Sequence, residues 1–146
     1  MESKSKIKEW RAEEIAKIFL LKSDCNLAVE RFSTKLFDFF VQLRTNEKVR
    51  FAVEVKMRKG FLPDMREQLS AIRIYQNNGM INIPVLLFRI DEVKETGEIT
   101  YLVAPSKGKE RLTIKEDFDF ITLDQASLSS KVEEIKNWYL QMSHFS

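Results

Sequence analysis

Asp38, Glu54 and Lys56 are the residues of this chain whose types and spacing could do chemistry together. In an extended strand successive side chains alternate faces, so Glu54 and Lys56, two apart, point the same way. Asp38 falls on the strand-like segment before them, where Phe37 and Phe39 are expected on the opposite face. If the two strands pair, two carboxylates and one ammonium converge on one patch. Hard Mg²⁺ takes oxygen ligands and is held by as few as one or two carboxylates, with water and phosphate filling the shell. A lysine beside it could orient or help activate an attacking water and stabilise charge on a phosphate, which is the apparatus for metal-assisted phosphodiester hydrolysis. The same spacing also describes a cross-strand salt bridge on an exposed sheet face. Glu-x-Lys recurs at Glu2/Lys4, Glu92/Lys94 and Glu134/Lys136, but only Glu54/Lys56 lies inside a strongly alternating segment.

Scarce residues exclude other chemistry. Cys25 is the only cysteine, so there is no internal disulfide and no cysteine-based zinc cluster. His144 is the only histidine, and a Ser-His-Asp triad or a multi-histidine site would have to use it near a chain end, a poor place to fix a general base. The four glycines (Gly60, Gly79, Gly97 and Gly108) are isolated, which leaves no phosphate-cradling loop and no dinucleotide fingerprint. No apolar run, Ile18 to Leu21 included, comes near the roughly 20 residues that span a bilayer. Met1 leads into Glu2 and a lysine-rich helix, so neither a cleavable signal nor a membrane is expected, and the expected location is cytoplasmic.

The elements that must position these residues fit one α/β domain over residues 1–146. Hydrophobic residues make up 44% and charged residues 32%, an ordinary globular composition. The net charge of +2 hides an asymmetry: residues 1–60 hold 14 Lys or Arg against 9 Asp or Glu, and residues 61–146 hold 10 against 13. A polyanion is therefore expected to dock on the first part. Helical spacing of Ala12, Ile15, Ala16 and Phe19, with Ile18 widening the stripe, predicts a helix over Lys6 to Lys22. Strands are predicted at Leu27–Thr34, Leu36–Arg44 and Val49–Arg58, with a turn at Thr45–Lys48. A helix over Asp64–Asn77 starts on Asp64 and Glu67 and carries Met65, Leu69, Ile72 and Gln76 on one side. Ile83–Asp91 reads as a strand covered on both faces. Glu95–Glu98 turns into a strand over Ile99–Ala104, and shorter strands are expected near Leu112 and at Phe118–Leu123. A last helix over Ser127–Met142 contains the capping-box pattern Ser130-Lys131-Val132-Glu133.

The leading helix, the hairpin bearing Asp38, the strand bearing Glu54-Val55-Lys56, the next helix and the apolar strand together resemble the PD-(D/E)XK nuclease superfamily over about Lys6 to Ile90. The resemblance implies an α-β-β-β-α-β restriction-endonuclease-like core with a mixed central sheet, extended here by extra C-terminal strands and a C-terminal helix. It implies Asp38 and Glu54 as Mg²⁺ ligands, Mn²⁺ as a substitute, and Lys56 as the catalytic lysine. Many members add a glutamate in a Glu-x-x-Ala-x-x-x-Leu setting on the first helix. Glu13, with Ala16 and Leu20 after it, fits that place, and Glu14 is the near alternative. The residue before the aspartate is Phe37, where proline is usual. One branch carries Gln-hydrophobic-x-x-Tyr on the second helix; Gln68-Leu69 is present and implies a supporting role for Gln68, but Ile72 stands where the tyrosine belongs, and Tyr75 follows three residues later.

The expected function is thus Mg²⁺-dependent hydrolysis of DNA, with a homodimer as one assembly to consider. The alternatives are a catalytically inert module of the same fold that binds nucleic acid or a protein, and a structural α/β domain whose acidic C-terminal half meets a partner. Arg44, Lys48, Arg50, Arg58, Lys59 and Arg66 could flank the site and neutralise phosphates, or form a solvated rim. Trp10, Trp138 and most of the eleven phenylalanines are expected in packing.

Overall fold

The structure is a computed structural model that describes residues 4–32, 37–59, 61–79 and 82–142. Its elements are α1 (Lys4–Lys22), β1 (Leu27–Arg31), β2 (Phe39–Leu43), β3 (Asn46–Met57), α2 (Phe61–Asn77), β4 (Val85–Asp91), β5 (Thr96–Pro105), β6 (Leu112–Ile114), β7 (Ile121–Thr122) and α3 (Gln125–Met142). The strands form one mixed seven-stranded sheet in the order β1-β2-β3-β4-β5-β6, with β7 paired to β5. β3 and β4 are parallel, joined by the α2 crossover, and the other pairs are antiparallel.

Alternation along the strands sorts the core into two layers. Phe39 and Val41 of β2, Phe51, Val53 and Val55 of β3, and Leu86, Phe88 and Ile90 of β4 meet α1 and α3 on one face. Ala12, Ile15, Ala16 and Leu20 form the buried stripe of α1, and Leu128, Val132 and Ile135 that of α3. The other face packs Ala52, Val85, Leu87, Leu102 and Val103 against Met65 and Ile72 of α2. The central strand β4 is therefore apolar on both sides, as its sequence requires. Among the described residues no helix is long and apolar enough to cross a membrane.

Several boundaries differ from expectation for identifiable reasons. The β2–β3 turn is Arg44-Thr45, not Thr45–Lys48, because Leu43 pairs with Asn46 across a two-residue connection with a register shift at Gln42/Leu43. The next turn is residues 92–95, and Thr96 already belongs to β5, with Glu95 taking up the positive φ (57°). α2 begins at Phe61, before Asp64. The box that starts α3 is Asp124/Ser127: Ser127 N–H donates to Asp124 Oδ1 (2.8 Å) and Asp124 N–H to Ser127 Oγ (3.0 Å), while Ser130–Glu133 lie inside the helix. Ile18 is half exposed and does not widen the α1 stripe. Trp10 is also half exposed, because the small Ala12 and Ala16 take the contact face of the helix. Ser33, Thr34, Leu36, Gly60 and His144, and the side chains of Asp64 and Glu67, lie outside the described residues.

Candidate active site

The site lies where β2 stops and the carboxyl end of β3 runs on. The β2–β3 ladder begins at Phe39↔Val53, and Asp38 stands just outside it. Its backbone N–H donates to Val53 O (3.0 Å), and its Oδ2 accepts the Val55 N–H at 2.7 Å. A side-chain carboxylate thus fills a position that a strand carbonyl would otherwise occupy, which fixes its orientation. Phe37, one residue earlier, is buried in the α2-side layer instead of sharing the face of Phe39, because alternation does not continue beyond the ladder.

Glu54 and Lys56 share the α2 face of β3, as the alternation requires. Lys56 Nζ lies 3.7 Å from Glu54 Oε1, and Gln68 of α2 donates its Nε2–H to Glu54 Oε2 at 2.6 Å. Glu54 is only 5% exposed, but its pocket is polar. Gln68 reaches it because α2 lays Met65 and Ile72 on the sheet, and Gln68 falls on that side of the helix between them. Ile72 is fully buried in this packing and Tyr75 is partly exposed, so the helix brings the glutamine but not a tyrosine to the site.

On the other side, Glu13 of α1 interacts with Asp38 through a side-chain hydrogen bond and accepts one from Arg31 Nη1 (3.2 Å). Glu14 is exposed and is bonded to Arg31 Nη2 (3.1 Å). Of the two glutamates, Glu13 is the one at the site. The cluster accordingly runs Glu13–Asp38–Glu54, with Asp38 touching both neighbours.

These contacts disturb the carboxyl groups strongly. Burial, then the hydrogen bond and charge of Asp38, push Glu13 up to about 7, against a smaller opposing pull from Arg31. Burial and Asp38 also raise Glu54 well above the usual carboxylate range, although Lys56 and Gln68 favour its charged form. The physical cause is the same in both: like-charged, poorly hydrated carboxylates without enough positive charge between them.

Among the described residues, no three His, Cys, Asp or Glu side chains are grouped as a ready-made metal cage. The carboxylates form a chain through Asp38. Mg²⁺ does not need a cage, because one or two carboxylates with water and phosphate suffice. The donor set at Asp38 and Glu54, all oxygen and raised toward protonation in Glu54, fits such an ion, with Glu13 one contact away.

The expected basic rim divides. Arg58 and Lys59 follow β3 directly at the site and are exposed, as is Arg66 on α2. Arg44, Lys48 and Arg50 sit at the other end of the hairpin, and the eight residue steps of strand from Lys48 to Lys56 span about 26 Å. They do not flank the site. Sequence reasoning missed two other cations. Arg31 bonds Glu13 and Glu14 of α1, and Arg89 is the residue of β4 paired with Lys56. The signal for Arg89 was there to read: a single arginine in a strand whose residues from Val85 to Phe88 and Ile90 are buried.

No family model, no curated protein and no solved structure matches this chain.

Proposed function

We propose that this chain is a Mg²⁺-dependent nuclease of the PD-(D/E)XK superfamily that hydrolyses DNA phosphodiester bonds in the cytoplasm, with Mn²⁺ able to replace Mg²⁺. The observation that carries the reading is Glu54: a carboxyl group 5% exposed, beside Asp38, with Lys56 and Gln68 on its two oxygens. A structural salt bridge gains nothing from a second carboxylate at its side, and burying one costs several kcal/mol in order of magnitude. A cation and a phosphate would use both. The element order α1-β1-β2-β3-α2-β4 supports the restriction-endonuclease-like core. The place supports it too, since ligands of open α/β sheets gather beyond the carboxyl ends of parallel strands.

When bound, the divalent ion would place positive charge on the scissile phosphate and lower the pKa of the attacking water. Asp38, fixed by the Val55 N–H, and Glu54, fixed by Gln68, supply the oxygen ligands. Glu13 supports Asp38 from α1. Lys56 holds its ammonium where it orients the nucleophile and offsets charge building on the phosphate, a preorganised contribution whose loss typically costs about 10²–10³ in rate.

The test is cleavage by purified protein of duplex, single-stranded and branched DNA in Mg²⁺ or Mn²⁺. Lys56→Ala should lower the rate about 10²–10³-fold while circular dichroism stays native. Cleavage that survives the substitution unchanged, or no cleavage of any of the three substrates, refutes the proposal and leaves the inert module.

A further inference from the structure

We infer that the outward face of α1 is a self-association surface, on which a second copy of this chain packs its own α1 antiparallel to the first. The contact stands on this face alone and is independent of the nuclease reading. α1 is apolar on two opposite sides. Ala12, Ala16 and Leu20 lie on the sheet side and are buried. On the other side Ile7, Trp10, Ile18 and Leu21 are each 48–55% exposed. At 3.6 residues per turn these four fall within about 80° of one another, on the far side of the helix from Ala16. One apolar stripe joins a surface helix to its own core, so a second, opposed stripe marks a contact with another molecule.

The order of residues along the stripe identifies that molecule. Ile7 and Leu21 stand seven places either side of Glu14, and Trp10 and Ile18 stand four places either side. A two-fold axis at Glu14 therefore sets Ile7 against Leu21 of the second copy and Trp10 against its Ile18. The contact is isologous, and every apolar side chain of the stripe meets an apolar one. A parallel pair would instead set Trp10 against Trp10 and align the two helix dipoles, whereas antiparallel helices oppose them. Charge agrees with this pairing. Glu14, at the axis, is bonded to Arg31 Nη2 (3.1 Å), so the two carboxylates that approach there each bring a guanidinium. Arg11, exposed in its pair with Glu95, and Lys17 stand three places either side of Glu14 and flank the stripe. Both come within about one helical turn of Glu14 of the second copy. The stripe from Ile7 to Leu21 is about 21 Å long and one helix wide, at the small end of specific interfaces, where association is weak and reversible.

Sedimentation equilibrium of the full chain over about 1–500 µM is the test, a range that brackets such an affinity. The mass should rise from that of one chain toward that of two. Trp10→Glu and Ile18→Glu each remove two contacts per dimer from outside the core. Either should weaken association about tenfold or more while circular dichroism stays native. Orientation is read by oxidative cross-linking in a Cys25→Ser background. Glu14→Cys should form a disulfide dimer by itself, because the two positions meet at the axis. Ile7→Cys should form one only when mixed with Leu21→Cys. If a charged variant loses its fold, the cross-links decide alone. A native chain that stays monomeric throughout overturns the inference and leaves the face to a different molecule. Association that both charged substitutions leave unchanged overturns it too, since the dimer then uses another surface. Ile7→Cys that cross-links to itself as readily as to Leu21→Cys overturns the antiparallel contact.

Discussion

Glu54 is nearly sealed from water, yet both of its carboxylate oxygens are engaged and a second carboxylate lies against it. Its ligand role predicts a separation between two variants. Mg²⁺ at about a hundred times its dissociation constant stabilises a protein that binds it by about 2.7 kcal/mol. Glu54→Gln should lose the corresponding rise in melting temperature, and Lys56→Ala should keep it. Equal rises in both would remove Glu54 from the ligand set. Glu13 adds a pH dependence. A carboxyl raised from 4.5 to about 7 on folding holds its proton more tightly in the folded chain. Its contribution is complete below about pH 4.5 and is lost as pH rises through 7. The metal-free melting temperature should therefore fall between pH 5 and 8, more steeply in the native chain than in Glu13→Gln. An identical slope in both would place the titration elsewhere. Mg²⁺ must displace that proton too, so its affinity should grow over the same interval.

At the scale of elements, some of this was legible and some was not. β3 could be read because Val49, Phe51, Val53 and Val55 all enter one layer, and a period of two leaves a single way to place Glu54 and Lys56. The α1 stripe was legible through Ala12, Ile15 and Ala16, but Ile18 was misplaced, since apolar character does not say which side of a helix meets the sheet. Phe37 was misread because strand alternation ends with the ladder, and sequence does not mark where a ladder ends. The start of α3 was hidden for a similar reason: Ser130-Lys131-Val132-Glu133 has the residue types of a cap, whereas Asp124 and Ser127 have the geometry. Asp124→Ala should cost about 1 kcal/mol in urea unfolding, and Ser130→Ala much less. Equal losses would show that the helix start is not set by Asp124.

For the whole molecule, the site draws on residues from 13 to 68, the more basic part of the chain, while its neighbouring strand β4 and an acidic groove lined by Glu98, Glu116, Asp117 and Asp119 arrive later in sequence. The three strands β1, β2 and β3 follow one another through short connections, and β4 and β5 are joined by residues 92–95. The parallel joint between β3 and β4 closes only after the 17-residue helix α2 has crossed the sheet. Non-local parallel pairing is intrinsically slow, because chain entropy is lost before contacts are gained. Glu54 sits on that joint, opposite Leu87. It is ionised in the unfolded chain near pH 6 and becomes hard to ionise only once the sheet and α2 have covered it. Refolding of the metal-free Glu13→Gln variant above pH 4.5 in weak buffer should therefore draw protons from solution late, with an indicator dye changing colour after most far-UV ellipticity has returned. A dye signal that runs ahead of the ellipticity would mean that the carboxylates are buried before the two strands meet.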